Sequence, residues 1–215
     1  MDNVILSAAQ KALNINLDEH IYGTFSEIGA GQEVVRHFFR SGGASGTIAK
    51  AMSAYDMDVS DAIYGRENTG RYVCESRLKK MLSQEYGLIE NRLDRDQYPD
   101  TRYFTFANTI TTTNFSKTVK GHGWMGCRFQ INPKIIANEV IIHIRLNDPE
   151  AKLQQETIGV LGTNLIHGCF NHYDNPKDLL ISLYDNLSRD NVEIDMIHME
   201  GPDFEDVDNR LLSLT

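Results

Sequence analysis

Three groups of residues in this chain have types and spacings that chemistry can use. The first is Glu27-Ile28-Gly29-Ala30-Gly31-Gln32, an acid followed by Gly-x-Gly just before an apolar helical stripe. Glycines let the backbone approach a ligand where no Cβ intrudes, and the helix start beyond them favours an anion. Val34 stands where the third glycine of a G-x-G-x-x-G loop would be. The second group is Arg128, His143 and Arg145, spaced along two strand-like runs so that they fall on one sheet face. Two guanidinium groups there would hold a phosphate or carboxylate, with His143 available to move a proton. The third is His122, flanked by Gly121 and Gly123 at a strand entrance, a second acid/base candidate. His167, Cys169 and His172 have metal-ligand types. Their i, i+2, i+5 spacing does not gather them on one helix face, so no metal set is expected.

The elements that must position these groups follow from periodicity. Helical spacing is expected over Val4 to Leu13, Gln32 to Phe39, about Ser45 to Tyr55 and Glu75 to Leu93. The charged loop Asp94 to Asp100 separates this helical part from a sheet part. Arg102 to Ile110, Gly123 to Ile131, Glu139 to Leu146 and Val192 to Met199 read as strands, the middle two paired antiparallel. Asp148-Pro149-Glu150 and Asn175-Pro176-Lys177-Asp178 each read as a helix start. In the strands Met125, Cys127 and Phe129 alternate with Arg128, Val140, Ile142 and Ile144 with His143 and Arg145, and Val192, Ile194 and Met196 with Glu193 and Asp195. One face is therefore apolar and the other polar, the usual furnishing of a sheet with one wet side.

Composition excludes several classes. A formal net charge of -9 over 215 residues opposes duplex DNA and anionic membranes as partners. No apolar run approaches the ~18 residues of a membrane span, and the N-terminus has no secretory pattern. Three widely spaced cysteines, Cys74, Cys127 and Cys169, suit reduced thiols rather than a disulfide framework. Cytoplasmic localisation follows.

Two resemblances bear on function. Glu27-Ile28-Gly29-Ala30-Gly31 resembles the first motif of S-adenosylmethionine-dependent methyltransferases. That fold needs a second parallel strand after the helix, and the helical spacing of Ile48, Ala51, Met52 and Tyr55 argues against one. Tyr22 to Phe39, Gly121 to Gly126, Gly201-Pro202-Asp203-Phe204 and Asp208 to Leu212 resemble the N-terminal part of a bacterial cytosolic family of unknown function. Its longer members carry two contradictory names, TonB-dependent receptor and nicotinate-nucleotide adenylyltransferase. A receptor of that kind needs a signal peptide and many alternating strands. The adenylyltransferase needs a (His or Thr)-x-Gly-His loop, for which Val119-Lys120-Gly121-His122 is the nearest match.

The expected architecture is a single α+β domain over 1–215, with a helical part over 1–98 and a sheet part over 99–215. Its N-terminal helices pack on one face of a mainly antiparallel sheet of four to five strands. The resemblance implies an N-terminal module of a longer protein, and the amphipathic stretch Val207 to Leu214 implies a further domain or a second copy as partner. Two functions remain open. One is a module that binds a small anionic ligand through Glu27, Gly29, Gly31, Gln32, Arg128 and Arg145, or that mediates assembly. The other is an enzyme on a nucleotide or phosphometabolite, of nucleotidyl- or methyl-transfer type, with His122 or His143 as acid/base. No cofactor can be named from the residues.

Overall fold

The computed structural model describes residues 5–205. The start of the first expected helix, at Val4, and the whole stretch Val207 to Leu214 lie outside the described residues. In chain order the elements are α1 (Ala8–Asn16), β1 (Ile21–Gly29), α2 (Glu33–Ser41), β2 (Ile48–Ser53), α3 (Met57–Tyr64), α4 (Glu75–Arg92), β3 (Arg102–Thr111), β4 (Gly121–Phe129), β5 (Asn138–Leu146), α5 (Ala151–Asn171), α6 (Pro176–Ser182) and β6 (Val192–Glu200). No described helix is long and apolar enough to cross a membrane.

Local signals explain where the helices begin. Ser7 and Gln10 form a reciprocal capping box at α1. Asn175 accepts from the Asp178 amide at α6, with Pro176 in the first turn, as its sequence announces. Asp148 behaves differently. Helix α5 starts after Glu150, and the Asp148 carboxylate accepts from Thr157 Oγ1 instead.

The six strands form one mixed sheet in the order β2-β1-β3-β4-β5-β6. β1 pairs parallel with β2 and β3, and the remaining pairs are antiparallel. This corrects the expected mainly antiparallel sheet of four to five strands. β1 and β2 are the strands that sequence periodicity misplaced or discounted. Ile48 and Met52 are four apart, a spacing that fits both a helix and the period-2 face of a strand. They lie on an edge strand that alternates half-buried and exposed, and Tyr55, expected in a core, is 81% exposed.

Helices cover the sheet on two faces rather than one. On the first face Phe25, Phe104, Phe106, Met125, Cys127, Phe129, Val140 and Ile142 meet residues of α1, α2, α5 and α6. On the second, Ile28, Ala107 and Ile141 meet Tyr64 of α3 and Leu78, Met81 and Leu82 of α4. Helix α4 packs on β1, β3 and β4. The second face of β5 and β6 is left to carry His143, Arg145, Asp195 and His198. A register shift between His143 and Ile144 leaves Asp195 as the extra residue of a bulge in β6. The bulge inverts the alternation, so Ile197 and Met199 enter the core where Met196 was expected.

Candidate ligand site

The connections around β1 define a reversal point. From β1 the chain passes through α2 on the first face and returns as β2 on one side of β1. From β2 it crosses the second face through α3 and α4 and returns as β3 on the other side. Open α/β sheets hold ligands outside the carboxyl ends of strands at such a reversal. Here those ends are Glu27-Ile28-Gly29 of β1 and Asn108 to Thr111 of β3.

Two polar side chains meet at this place. Glu27 is two residues beyond Phe25 and so points to the same, first face, and its register partners are Asn108 on β3 and Ser53 on β2. Glu27 is 2% exposed and Asn108 is fully buried. Neither Glu27 Oε1 nor the two polar atoms of the Asn108 carboxamide has a hydrogen-bond partner. Burial raises the Glu27 pKa from 4.5 to about 7, and the nearby Glu33 carboxylate adds to the rise.

The glycine turn closes over this pair. Gly29 adopts φ +91°, and a Cβ there would lie 2.1 Å from the Ile110 carbonyl oxygen. A Cβ on Gly31 would lie 2.1 Å from the Asn108 carboxamide. The glycines therefore serve close approach to β3. Gln32 Nε2 donates to the Gly29 carbonyl at 2.5 Å and to Ser53 Oγ at 3.0 Å, tying the turn to β2. At the N-cap of α2, Gln32 supplies no side-chain acceptor to the first turn. The Val34 amide donates to the Gly31 carbonyl at 3.2 Å, and the first-turn amides not taken up in this way are donors that an anion can satisfy.

The remaining sequence-derived residues separate into other places. Arg128 lies on the second face beneath α4, 5.1 Å from the Tyr86 ring centre and 3.8 Å from Glu139. Arg145 is opposite His122, six rungs from the Arg128–Glu139 rung, a distance of about 20 Å along the strands. The two arginines therefore share a face but cannot grip one anion. The pairing of β4 with β5 sets this, because antiparallel register places Arg128 near the start of β5 and Arg145 near its end.

His122, His143 and Arg145 do come together, with Asp195 at their centre. Asp195 faces His143 Nδ1 at 2.5 Å and accepts from Arg145 Nε at 2.6 Å. Burial opposes its ionisation, but the hydrogen bonds with Arg145 and His143 outweigh it and hold the Asp195 pKa below the usual carboxylate value. The rings of His122 and Trp124 lie 5.7 and 4.6 Å from that of His143. Burial, then the neighbouring His143 and Arg145, lower the His122 pKa. This cluster sits on an open sheet face, away from Glu27.

His167 and His172 also end near each other, with ring centres 6.1 Å apart. They line a cavity of about 450 Å3 beside Lys11 and Asp185. Lys11 is occupied there, bonded to Asn164, Asp185 and the Ser182 carbonyl. Burial, assisted by the Lys11 charge, lowers the His167 pKa to about 4. Among the described residues no three His, Cys, Asp or Glu side chains are placed to hold a metal ion.

Sequence reasoning missed Asn108 and the role of Asp195. Asn108 had a signal, since it is the polar member of a stripe otherwise made of Phe104, Phe106 and Ile110. Asp195 was legible as one carboxylate of a polar face, but the bulge that aims it was not.

A three-layer domain with helices on both faces of a mixed sheet is the class that this topology defines. The chain shares that fold with the competence/damage inducible protein CihA from Agrobacterium tumefaciens, at a TM-score of 0.54 and 14% identity, over 77% of this chain and 97% of that one. It is similar also to a competence-damaged protein (CinA) superfamily protein from Klebsiella pneumoniae, at a TM-score of 0.51 and 6% identity, over 77% of this chain and 96% of that one. At these identities the likeness is one of fold alone. No family model matches the chain, and no curated protein matches it.

Proposed function

We propose that this chain is a cytoplasmic module that binds a small anionic ligand, a nucleotide or phosphorylated metabolite, at the carboxyl ends of β1 and β3. One observation carries the reading. Glu27 and Asn108 are buried side by side at the reversal point of the sheet with polar atoms that nothing in the protein satisfies. Such groups cost about 1–3 kcal/mol each when left unpaired, and natural proteins keep few of them without a ligand, water or strain to explain them. The first turn of α2 above the pair offers backbone donors and a positive dipole end to an anion.

A thermal-shift panel of nucleotides and phosphorylated metabolites tests this, run on the wild type and on Asn108→Leu. A ligand at 100 times its Kd adds about 2.7 kcal/mol, roughly 5–10 °C in Tm for a chain of this size. Asn108→Leu should remove the response. It should also raise the unliganded stability by about 1 kcal/mol, because an unpaired buried amide is replaced by an apolar group of similar shape. A panel in which no compound moves the wild-type Tm sinks the reading, and a concentration-dependent Tm would favour assembly in its place.

A second reading has its own support. The Asp195 contact leaves His143 Nε2 as the free ring nitrogen, so an enzyme on a nucleotide or phosphometabolite would use His143 as its proton-transfer group. The resemblance to the N-terminal part of longer proteins would make either activity that of one module among others.

A further inference from the structure

We propose that the Glu27 site takes up its anionic ligand together with one proton, which the Glu27 carboxyl receives. The inference rests on the binding reading above and adds how that binding is regulated.

Uncharged residues flank the carboxyl on the neighbouring strands. From β2 the register neighbour is Ser53, and from β3 it is Asn108, whose own neighbour on β4 is Met125. None of these carries a charge. Helix α5 approaches α2 through Gly159 and Gly162, against Glu33, His37 and Val34. Helix α2 supplies the charges. Glu33 is its first residue and is bonded to Arg36 at 2.5 Å. His37 lies against Gly159, with its pKa lowered by burial and by Arg40. Among the described residues the charge that acts on Glu27 is thus Glu33, and it has the same sign as an ionised Glu27.

An oxyanion on the first turn of α2 would bring a second negative charge to this place. With Glu27 ionised, two carboxylates and the ligand would lie near one another beside a buried side chain, and like charges disfavour each other more where burial lowers the effective dielectric. With Glu27 protonated, that repulsion falls. The carboxyl then also has a proton to donate, either to the ligand or to the unpartnered Asn108 oxygen. Binding and protonation therefore favour each other by the same factor.

The sign and the pH window follow. Glu27 alone titrates near 7. Well below that it already holds its proton, so binding takes up none. Above it, binding takes up close to one proton, and affinity falls about tenfold for each further pH unit. Replacing Glu33 removes the like charge and moves the onset of this fall to lower pH.

Sulfate is a suitable probe because it does not titrate in this range. Calorimetric titration of the full chain with sulfate, in two buffers of different ionisation enthalpy, counts protons taken up. The expected result is close to one at pH 8.5 and close to none at pH 5.5. Glu27→Gln should show none at either pH, with an affinity that no longer depends on pH. Glu33→Gln should keep the uptake and shift its midpoint downward. Amide resonances of Gly31, Gln32 and Glu33 report where the sulfate sits. If they shift with equal affinity at both pH values, proton coupling is wrong while the binding site stands. If they do not shift at all, the site itself is wrong and both ideas fall.

Discussion

Glu27 with Asn108, and His143 with Asp195, are two polar pairs on neighbouring strands of one sheet, and the protein treats them in opposite ways. The first pair lies in the parallel half, on a face closed by α2 and α5, and Glu27 Oε1 and both polar atoms of the Asn108 carboxamide are left without partners. The second lies in the antiparallel half, on the part of the second face that no described helix covers, and its members are bonded to each other and to Arg145. A paired polar cluster on a wet sheet face is ordinary furnishing and contributes little to stability. An unpaired one in a closed crevice costs stability and needs another reason to persist. The more conspicuous cluster, with its histidines and arginine, is thus the weaker functional argument.

Gly29→Ala should break the crevice most severely. The change puts a side chain at φ +91° and drives its Cβ against the Ile110 backbone, a cost of roughly 3 kcal/mol or more. Gly70, also at positive φ but with open space around it, is the control, where alanine should cost about 1 kcal/mol. Urea denaturation of both variants measures the contrast. Equal costs at the two positions would mean that the crevice is not tightly held.

Glu27→Gln should come next, with an effect that depends on pH. The folded protein holds the Glu27 proton up to about pH 7, and the unfolded chain releases it near 4.5. Between those values the folded state binds more protons, so wild-type stability is greatest below 4.5 and is lost as pH rises through 7. The glutamine variant has no such loss. Relative to wild type it should gain about 2–3 kcal/mol between pH 5 and pH 8.5, read from denaturation midpoints at the two values. A difference that stays flat across that range would show that Glu27 is an ordinary solvated carboxylate.

Asp195→Asn should have the smallest effect. The carboxylate is partly exposed, and Arg145 is largely so, which places the loss below about 1 kcal/mol. A loss above 2 kcal/mol, measured the same way, would overturn the contrast and promote the open face to a built site.

Much of this was legible along the chain. The apolar stripe of α2, the length of α4, the caps of α6, the extents of β3 to β6 and the alternation in β4 and β5 are local properties and were read to within a few residues. Asp94 to Asp100 does connect α4 to β3, but it does not part helices from sheet, because β1 and β2 precede it and α5 and α6 follow it. β2 was not legible, because Ile48 and Met52 satisfy two periods at once and an edge strand has little burial to decide between them. Asn108 was present in the β3 stripe as the polar exception, though nothing local says which residue it would face.

The sequence by itself determined a reduced-cysteine α+β chain, a glycine turn that opens a helix behind an acid, and a polar stripe on the later strands. Only the tertiary structure decided which of those groups meet. Strand order and register act over long separations, and they put Glu27 beside Asn108 while parting Arg128 from Arg145. Burial then altered the chemistry. The same Glu27 that reads as a charged ligand for a cofactor becomes, beneath α2 and next to Glu33, a carboxyl that holds its proton to about pH 7, because burial penalises the charged form.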